Sequence, residues 1–350
     1  EIGATMTVFF VVSAVGQAMA GFGVDRFGAL RILLAGISCF VLAGLGLAMA
    51  TSSSALYAVA ALAGLGNTVF HPADFTVLNR HVSPPRLGHA FSVHGLSGNL
   101  GWAAAPLFLT GLATLVGWRV AAASTIFVAI PAMLLLWHNR ALLDTGHHAH
   151  AAKQSGHGTF DFMRVGAVWL CFAFFFLITA AFGAIQNFAT PILQNLYQLP
   201  LGLAATALST YLLAGAGGIL VGGFVAQKQA NDRIIAVVLG IAALLALLLA
   251  ANVVPGWAVL PLMAGIGFFS GIAGPSRDLL VRRAATARFG QAAYGRIYGF
   301  VYSGLDAGLA VAPLIFGGYM DRGQYAAVLV GIALLQAGAI LTALRVGRAA

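Results

Sequence analysis

The residues of this sequence that are most able to do chemistry are a few ionisable and polar side chains inside long apolar runs. Asp306 lies near the middle of the apolar run 292–319. A carboxyl group in such surroundings suits uptake and release of a proton, because burial disfavours its charged form. The other interpretation of Asp306 is a carboxylate that hydrogen-bonds to a neighbouring helix and fixes the packing.

Three further ionisable residues occupy related positions in two other apolar runs. His71 and Asp74 lie toward one end of one run, and Arg277 lies toward the corresponding end of the other. Asp74 and Arg277 have opposite charge, so we predict that a salt bridge between them closes that side of the protein. The alternative is that both side chains extend to the membrane interface. His71 is also a candidate for contact with a substrate.

Other polar side chains also lie within the apolar runs. His94 and Asn99 share one apolar run, and both are candidates for contact with a substrate. His94 could bind an anion or carry a proton, although an interhelical hydrogen bond is the commoner use of such a residue. Gln186 and Asn187, just before Pro191, complete the set of substrate candidates.

The turn GFGVDRFGALR, which begins at Gly21, is the sharpest local motif. Apolar helices flank it, so Asp25 and Arg26 must crowd a tight connection. Gly21 permits close helix contact, and Gly28 permits a backbone turn that a side chain would obstruct. Asp25 can lie against a helix N-terminus or an arginine, and we predict that such contacts, with Arg80 as one partner, lock the cytoplasmic side. The alternative is a solvated turn whose charges only set the orientation.

Long apolar helices must position these residues, because the composition excludes a water-soluble fold. Hydrophobic residues make up 60% of the 350 positions and charged residues only 8%, against about 25% charged residues in soluble domains. The 44 glycines suit close helix contacts in lipid. Cys39 and Cys171 lie in apolar runs and indicate neither a disulfide framework nor a metal site.

Runs of about 20 apolar residues, long enough to cross a bilayer as helices, recur along the whole chain. We predict eleven helices over residues 3–22, 31–50, 55–80, 89–116, 119–138, 165–191, 203–226, 233–252, 256–282, 292–319 and 323–344. The polar, His-rich segment 139–164 separates five helices from six. The predicted organisation is an N-terminal bundle over 1–138, a linker over 139–164 and a C-terminal bundle over 165–350.

The net charge of +9 is explained by where the basic residues lie. With the turn at 23–30 placed in the cytoplasm, all of the 18 Lys and Arg residues except Arg119 and Arg322 fall at cytoplasmic loops or helix ends. The positive-inside rule then places the central linker and the C-terminus in the cytoplasm. No helix carries a basic face, so the charge does not indicate nucleic acid. We expect an integral protein of a bacterial-type inner membrane.

Two segments repeat across the halves of the sequence. HPADFTVLNR (71–80) aligns with GPSRDLLVRR (274–283), and NLGWAAAPLF (99–108) aligns with DAGLAVAPLIF (306–316). A parallel repeat of this kind, with a long loop between its halves, is typical of transporters. Since the second half has six helices, we expect one more helix before residue 1, in a longer protein.

Signatures of enzymes and of bound cofactors are lacking. The sequence has no G-x-S-x-G, no H-E-x-x-H and no phosphate-binding G-x-x-x-x-G-K-[ST], so we predict a protein that is neither an enzyme nor a primary pump. His147, His148, His150 and His157 have a spacing that could hold a metal, but their segment offers no rigid scaffold. A solvated linker without metal is therefore favoured.

The turn at Gly21 resembles the signature loop between helices 2 and 3 of the major facilitator superfamily, G-x-x-x-D-R-x-G-[RK]-[RK]. Gly21, Asp25, Arg26 and Gly28 match this motif, whereas the two positions after Gly28 lack the usual basic pair. The segment GFVAQK (223–228) resembles a degenerate second copy. The resemblance covers essentially the whole chain and implies the fold of that family, in which the first helix here is helix 2 of twelve.

A finer resemblance lies in FHPADFTVLNRHVSPPRLGHAFSVHGLSGNLGWAAAPLF (70–108), which is similar to helices 4 and 5 of fosmidomycin-resistance-like members. These members are treated as exporters of drugs or small molecules. The resemblance implies a monomeric secondary transporter with two pseudo-symmetric bundles, alternating access and proton-coupled export. Two alternatives stay open: uptake of a small organic anion with His71, His94 and Arg277 supplying positive charge, and a membrane sensor or scaffold that does not transport.

The predicted orientation has a direct test. Cysteine placed in the 51–54 turn should react with an impermeant thiol reagent added from the periplasm, and cysteine at 154–157 should not, because the basic residues retain the second segment in the cytoplasm. Permeabilised cells, in which both positions should react, are the control. The reverse labelling pattern would overturn the orientation.

Overall fold

A computed structural model describes residues 2–143, 160–226, 232–289 and 293–349, and within these ranges the protein contains helices and no strand. The predicted all-α fold class is confirmed. The helices are α1 (Ile2–Phe27), α2 (Ala29–Met49), α3 (Ser53–Asn67), α4 (Phe70–His81), α5 (Leu87–Val116), α6 (Trp118–Ala123), α7 (Ile126–His138), α8 (Gly166–Leu196), α9 (Leu201–Val225), α10 (Asp232–Ala250), α11 (Val259–Phe289), α12 (Tyr294–Asp321) and α13 (Tyr325–Ala349).

Each predicted apolar span corresponds to helix in the structure. Ten helical stretches among the described residues are long and apolar enough to cross a membrane. The remaining predicted span is occupied by α5, a continuous helix of 30 residues. Backbone groups in lipid must be paired within the protein, and continuous helices satisfy this requirement.

Two of the predicted spans are interrupted near their middle. Thr68 and Val69 separate α3 from α4, and Ser124 and Thr125 separate α6 from α7. At the first interruption the hydroxyl of Thr68 donates to the carbonyl of Leu65 at 2.8 Å, and Thr125 makes the same contact with the carbonyl three residues before it. Hydroxyl groups that bond to nearby carbonyls in this way compete with the helical ladder.

The predicted end of one helix at Pro191 was wrong. α8 continues through this proline to Leu196. A proline inside a helix removes one backbone N–H and crowds the carbonyl four residues earlier, and membrane helices tolerate this because neighbouring groups satisfy the freed carbonyl.

The chain divides into two compact units. The first comprises residues 1–83, 97–164 and 285–306, and the second comprises 84–96, 165–284 and 307–350. These units follow the predicted bundles except at two places, since the beginning of α5 belongs to the second unit and the beginning of α12 to the first. The division into contiguous bundles stays a prediction.

Small residues allow close packing in both units. In the first, α3 packs against α1 and α2, and a Cβ on Gly64 would overlap the Phe9 carbonyl. In the second, α8 and α10 pack against α13 around a buried apolar core. Also in that unit, a Cβ on Gly218 of α9 would overlap the Phe268 carbonyl of α11. Such contacts replace the hydrophobic driving force that is lost in lipid.

The approach of α9 to α11 generates a stability prediction. Gly218→Val should destabilise the protein by about 1–3 kcal/mol, because the new side chain must push the two backbones apart. Gly217→Val is the matched control: it makes the same change one residue earlier, where a Cβ meets no atom of the described chain within 4 Å. Thermal unfolding in detergent measures both. Equal unfolding temperatures for the two variants would show that the close approach is not needed.

Candidate functional site

One face of α1 carries four polar or small residues at a constant spacing of four. Ser13, Gln17, Gly21 and Asp25 follow one another along α1, and this spacing places all four on one face of a helix. That face packs against the beginning of α12, between Tyr294 and Asp306, in the first unit. We call this contact the α1–α12 seam.

Asp25 closes the seam at the N-terminus of α12. Its carboxylate accepts hydrogen bonds from the backbone N–H groups of Gly295 and Arg296, at 3.0 and 3.2 Å. The Arg296 guanidinium lies 3.3 Å from the same carboxylate, and both side chains are largely buried. A helix N-terminus presents unpaired donors and a partial positive charge, so a carboxylate suits this position. We call Asp25, Gly295 and Arg296 the Asp25 clasp.

Glycines bring the two backbones together in the middle of the seam. A Cβ on Gly21 would overlap the carbonyl oxygen of Gly295, and a Cβ on Gly299 would lie 2.6 Å from the carbonyl oxygen of Gln17. No side chain larger than hydrogen fits between the helices at either place. The close approach lets the short side chain of Asp25 reach the backbone of α12.

A buried polar cluster forms the other end of the seam. The Ser13 hydroxyl donates to the Asp306 carboxylate at 2.6 Å, and the Gln17 amide donates to it at 3.0 Å. The same Gln17 nitrogen donates to the Tyr302 carbonyl at 2.9 Å, while the Asn67 amide donates to the Ser13 hydroxyl. Asp306 is 2% exposed, and Ser13 and Gln17 are fully buried. Ser13, Gln17 and Asp306 are called the Asp306 cluster below.

Aromatic rings join α4 to the same part of α12. The His71 ring lies 4.7 Å from the Tyr302 ring, and the Phe75 ring lies 5.2 Å from the Tyr298 ring. The Asn79 amide donates to the Tyr298 hydroxyl at 3.0 Å. Tyr298 and Tyr302, which lie one turn apart on α12, are therefore held by α4, whereas α1 contacts the same helix from Gly295 to Asp306.

The remaining predicted residues of the first unit lie on α1, α4 and α5 or at the turn after α1. Gly28 has a φ of 83°, a conformation that favours glycine, and it separates α1 from α2. Arg26 is exposed beside Phe27. Arg80 interacts electrostatically with Asp25. Asp74 lies on α4, and Asn99 lies on α5 and is half-buried.

A second charged cluster lies in the second unit. The Arg277 guanidinium is 2.8 Å from the Asp278 carboxylate, and it stacks over the Phe175 ring at 4.5 Å. Asp278 also interacts electrostatically with His94 on α5. Asp278, which was not among the predicted site residues, is therefore a common neighbour of two that were, His94 and Arg277.

Gln186 and Asn187 also lie in the second unit, on α8. Gln186 is half-buried, whereas Asn187 is exposed, and its amide donates to the Gly183 carbonyl of its own helix at 2.7 Å. Their role in substrate contact stays a prediction. Among the described residues no group of three metal-ligating side chains occurs; His147, His148, His150 and His157 lie outside these residues.

Three side chains that bind or pair across the seam were not identified from the sequence: Ser13, Gln17 and Arg296. For the first two a usable signal exists, since they precede Gly21 and Asp25 at the same spacing of four on an otherwise apolar helix. A polar side chain on the face of a recognised motif is a candidate for the same contact. Arg296 gives no such signal, because only the packing of α12 on α1 brings it to Asp25.

Comparison with known proteins gives a family match over most of the chain. The family model of the Major Facilitator Superfamily matches residues 1–313. The Fosmidomycin resistance protein of Escherichia coli K12 is 28% identical over 325 residues, which cover 90% of this chain and 77% of that protein. The Multidrug resistance protein B homolog of Mycobacterium tuberculosis is 31% identical over 115 residues, 33% of this chain, and the chain spans only 21% of its length.

Solved structures support the fold independently. The proton:xylose symporter XylE, bound to 6-bromo-6-deoxy-D-glucose, superposes with a TM-score of 0.79 at 12% identity, over 97% of this chain and 84% of that one. At this identity the likeness shows the fold alone.

The Asp25 clasp can be tested by a double-mutant cycle on thermal stability. Asp25→Asn and Arg296→Gln should each destabilise the protein, and their coupling should reach about 1–3 kcal/mol, because both charges are largely buried. Asp321→Asn is the control, since it neutralises an exposed acid at the opposite end of α12. Strictly additive effects of the two variants would mean that the ion pair contributes nothing.

Proposed function

The chain belongs to the Major Facilitator Superfamily, and from this premise we propose that it exports a drug or small metabolite in exchange for protons. Its family and relatives are those of membrane transporters, so the protein is an integral membrane transporter and not an enzyme. The direction of transport, the class of solute and the coupling ion are the parts that we propose.

Export is supported by the relatives. The Escherichia coli relative, which aligns over 90% of this chain, is named for resistance to fosmidomycin, and a shorter match is named for multidrug resistance. Resistance is the outcome of removing a toxic solute from the cell. The competing proposal, uptake of an organic anion, takes its positive charge from His71, His94 and Arg277, and Asp278 already pairs with the Arg277 guanidinium. Export is therefore favoured.

Proton coupling is supported chiefly by the Asp306 carboxyl. This group is 2% exposed in an apolar helix, and its contacts in the described structure are with two neutral groups, Ser13 and Gln17. Burial of a carboxylate without a cation is costly, so such a group readily exchanges a proton. The competing role for Asp306 is a fixed hydrogen-bonded contact that holds α12 on α1.

The cytoplasmic gate is proposed at the Asp25 clasp, with Arg80 as an added positive charge. Two backbone N–H donors from a helix N-terminus bind one largely buried carboxylate there, and a guanidinium lies 3.3 Å from it. Hydrogen bonds from N–H groups to a carboxylate are among the stronger ones. A salt bridge between Asp74 and Arg277 stays a prediction as a second part of the gate. We place the clasp on the cytoplasmic side of a bacterial-type inner membrane, following the distribution of basic residues.

Asp306→Asn tests the proposed coupling. In proteoliposomes loaded with fosmidomycin or a fluorescent drug, the variant should lose export driven by a proton gradient, because residue 306 can no longer exchange a proton. Exchange of labelled for unlabelled solute, which needs no net proton movement, should persist. Asp321→Asn, which neutralises the exposed acid of the same helix, is the control. Gradient-driven export by Asp306→Asn at the normal rate and proton stoichiometry would leave Asp306 a structural role only.

A further inference from the structure

The side-chain amide of Gln17 is fully buried, and within the described residues only one of its two polar atoms forms hydrogen bonds. Its nitrogen donates to both the Tyr302 carbonyl and the Asp306 carboxylate, whereas its oxygen has no hydrogen-bond partner among the described residues. A buried acceptor without a partner costs about 1–3 kcal/mol. Such a group calls for a specific reason, since most buried polar atoms are paired.

The chemistry of Asp306 supplies that reason. A charged carboxylate needs hydrogen-bond donors, and Ser13 and Gln17 provide them. A protonated carboxyl instead needs an acceptor for its O–H group. A glutamine amide can provide either, because rotation by half a turn exchanges its nitrogen and oxygen, and the Ser13 hydroxyl can also donate or accept. The Asp306 cluster is therefore suited to both protonation states.

We propose that Gln17 is a positioning residue that responds to the proton on Asp306 and transmits its arrival to the Asp25 clasp. This inference rests on the proposed coupling role of Asp306. A proton from water binds the carboxylate, and the new O–H donates to the Gln17 oxygen. The amide turns, and its nitrogen leaves the Tyr302 carbonyl, which keeps the backbone hydrogen bond of its own helix.

The proton on Asp306 decides between the two orientations of the amide, which makes this step reversible. In the observed orientation the nitrogen makes two hydrogen bonds and the oxygen lacks a partner among the described residues. In the turned orientation the nitrogen loses both bonds and the oxygen faces the Tyr302 carbonyl, so this orientation is favoured only while the Asp306 O–H donates to the oxygen. An element with two such arrangements can be shifted by a single proton.

The seam connects this step to the clasp. Gln17 and Asp25 lie two turns apart on the same face of α1, and Gly21 and Gly299 hold the backbones in contact between them. Loss of the bond to Tyr302 removes one of the polar contacts that hold α12 against α1, and the next ones along the seam are those of Gly295 and Arg296 with Asp25. A small displacement of α12 therefore changes the hydrogen-bond distances in the Asp25 clasp, because close-packed backbones move together.

Other ionisable groups lie on this part of α12 or on the helices packed against it. They are His71, Asp74 and Arg80 on α4 and Asp25 on α1, together with Tyr294, Arg296, Tyr298 and Tyr302 on α12 itself. The carboxyl contacts of Asp306 in the described structure are with Ser13 and Gln17, so variants of these two residues act on it directly.

Amide hydrogen exchange over Tyr294–Asp306 tests the inference without a substrate. After correction for the intrinsic exchange rate, exchange in the wild-type protein should be roughly fivefold faster at mildly acidic than at mildly alkaline pH, the change expected for one net buried hydrogen bond. Gln17→Met keeps the length of the side chain but cannot turn from donor to acceptor, so it should lose this difference. Ser13→Ala, a milder change in the same cluster, should reduce it.

The control is Gln336→Met, which removes another buried glutamine, on α13 in the second unit, and should preserve the pH dependence. In the Asp306→Asn variant, the backbone amides of Tyr294–Asp306 should exchange rapidly at both pH values. If it abolishes the dependence but Gln17→Met retains it, Asp306 is the proton site and the role of Gln17 is wrong. If Asp306→Asn retains the full dependence, the proposed coupling at Asp306 itself fails.

Discussion

The close approach of α1 and α12 is the contact on which the proposed mechanism depends. In lipid, two helices gain little from burying apolar surface against each other, so packing of small residues and interhelical hydrogen bonds must hold them together. Gly21 and Gly299 allow backbone contact, and polar groups on either side of them complete the seam. Without the glycines, neither Asp25 nor Gln17 would reach α12.

This constraint gives the two ends of the seam different chemistry. At one end Asp25 accepts hydrogen bonds from backbone N–H groups and lies beside a guanidinium, so donors and a positive charge surround its carboxylate. At the other end the contacts of the Asp306 carboxyl within the described residues are with a hydroxyl and an amide, which serve either protonation state. The first end suits a contact that holds the gate closed, and the second suits a contact that responds to a proton. A transporter needs both, because a gate must hold until an ion or solute releases it.

Much of this architecture follows from the sequence, because hydrophobic length and glycine content are local properties. These local properties predicted the eleven apolar spans, the turn at Gly28 and the position of Asp306 near the middle of its helix. The helix interruptions at Thr68 and Thr125 were not predicted, since a single hydroxyl in an apolar run gives no clear signal. The pairing of Asp25 with Arg296 depends on which helices meet, and no local pattern encodes that. α8 extends past the predicted span 165–191 to Leu196, because membrane helices tolerate proline.

The most direct test is an experimental structure of the Asp306→Asn protein, in which residue 306 is permanently neutral. The new amide can donate to the Gln17 oxygen as a protonated carboxyl would. We predict that the Gln17 amide is turned, with its nitrogen away from the Tyr302 carbonyl, and that the Gly295 and Arg296 N–H groups have moved out of hydrogen-bond distance of Asp25. An unturned amide, with these two contacts still at 3.0 and 3.2 Å, would contradict the mechanism.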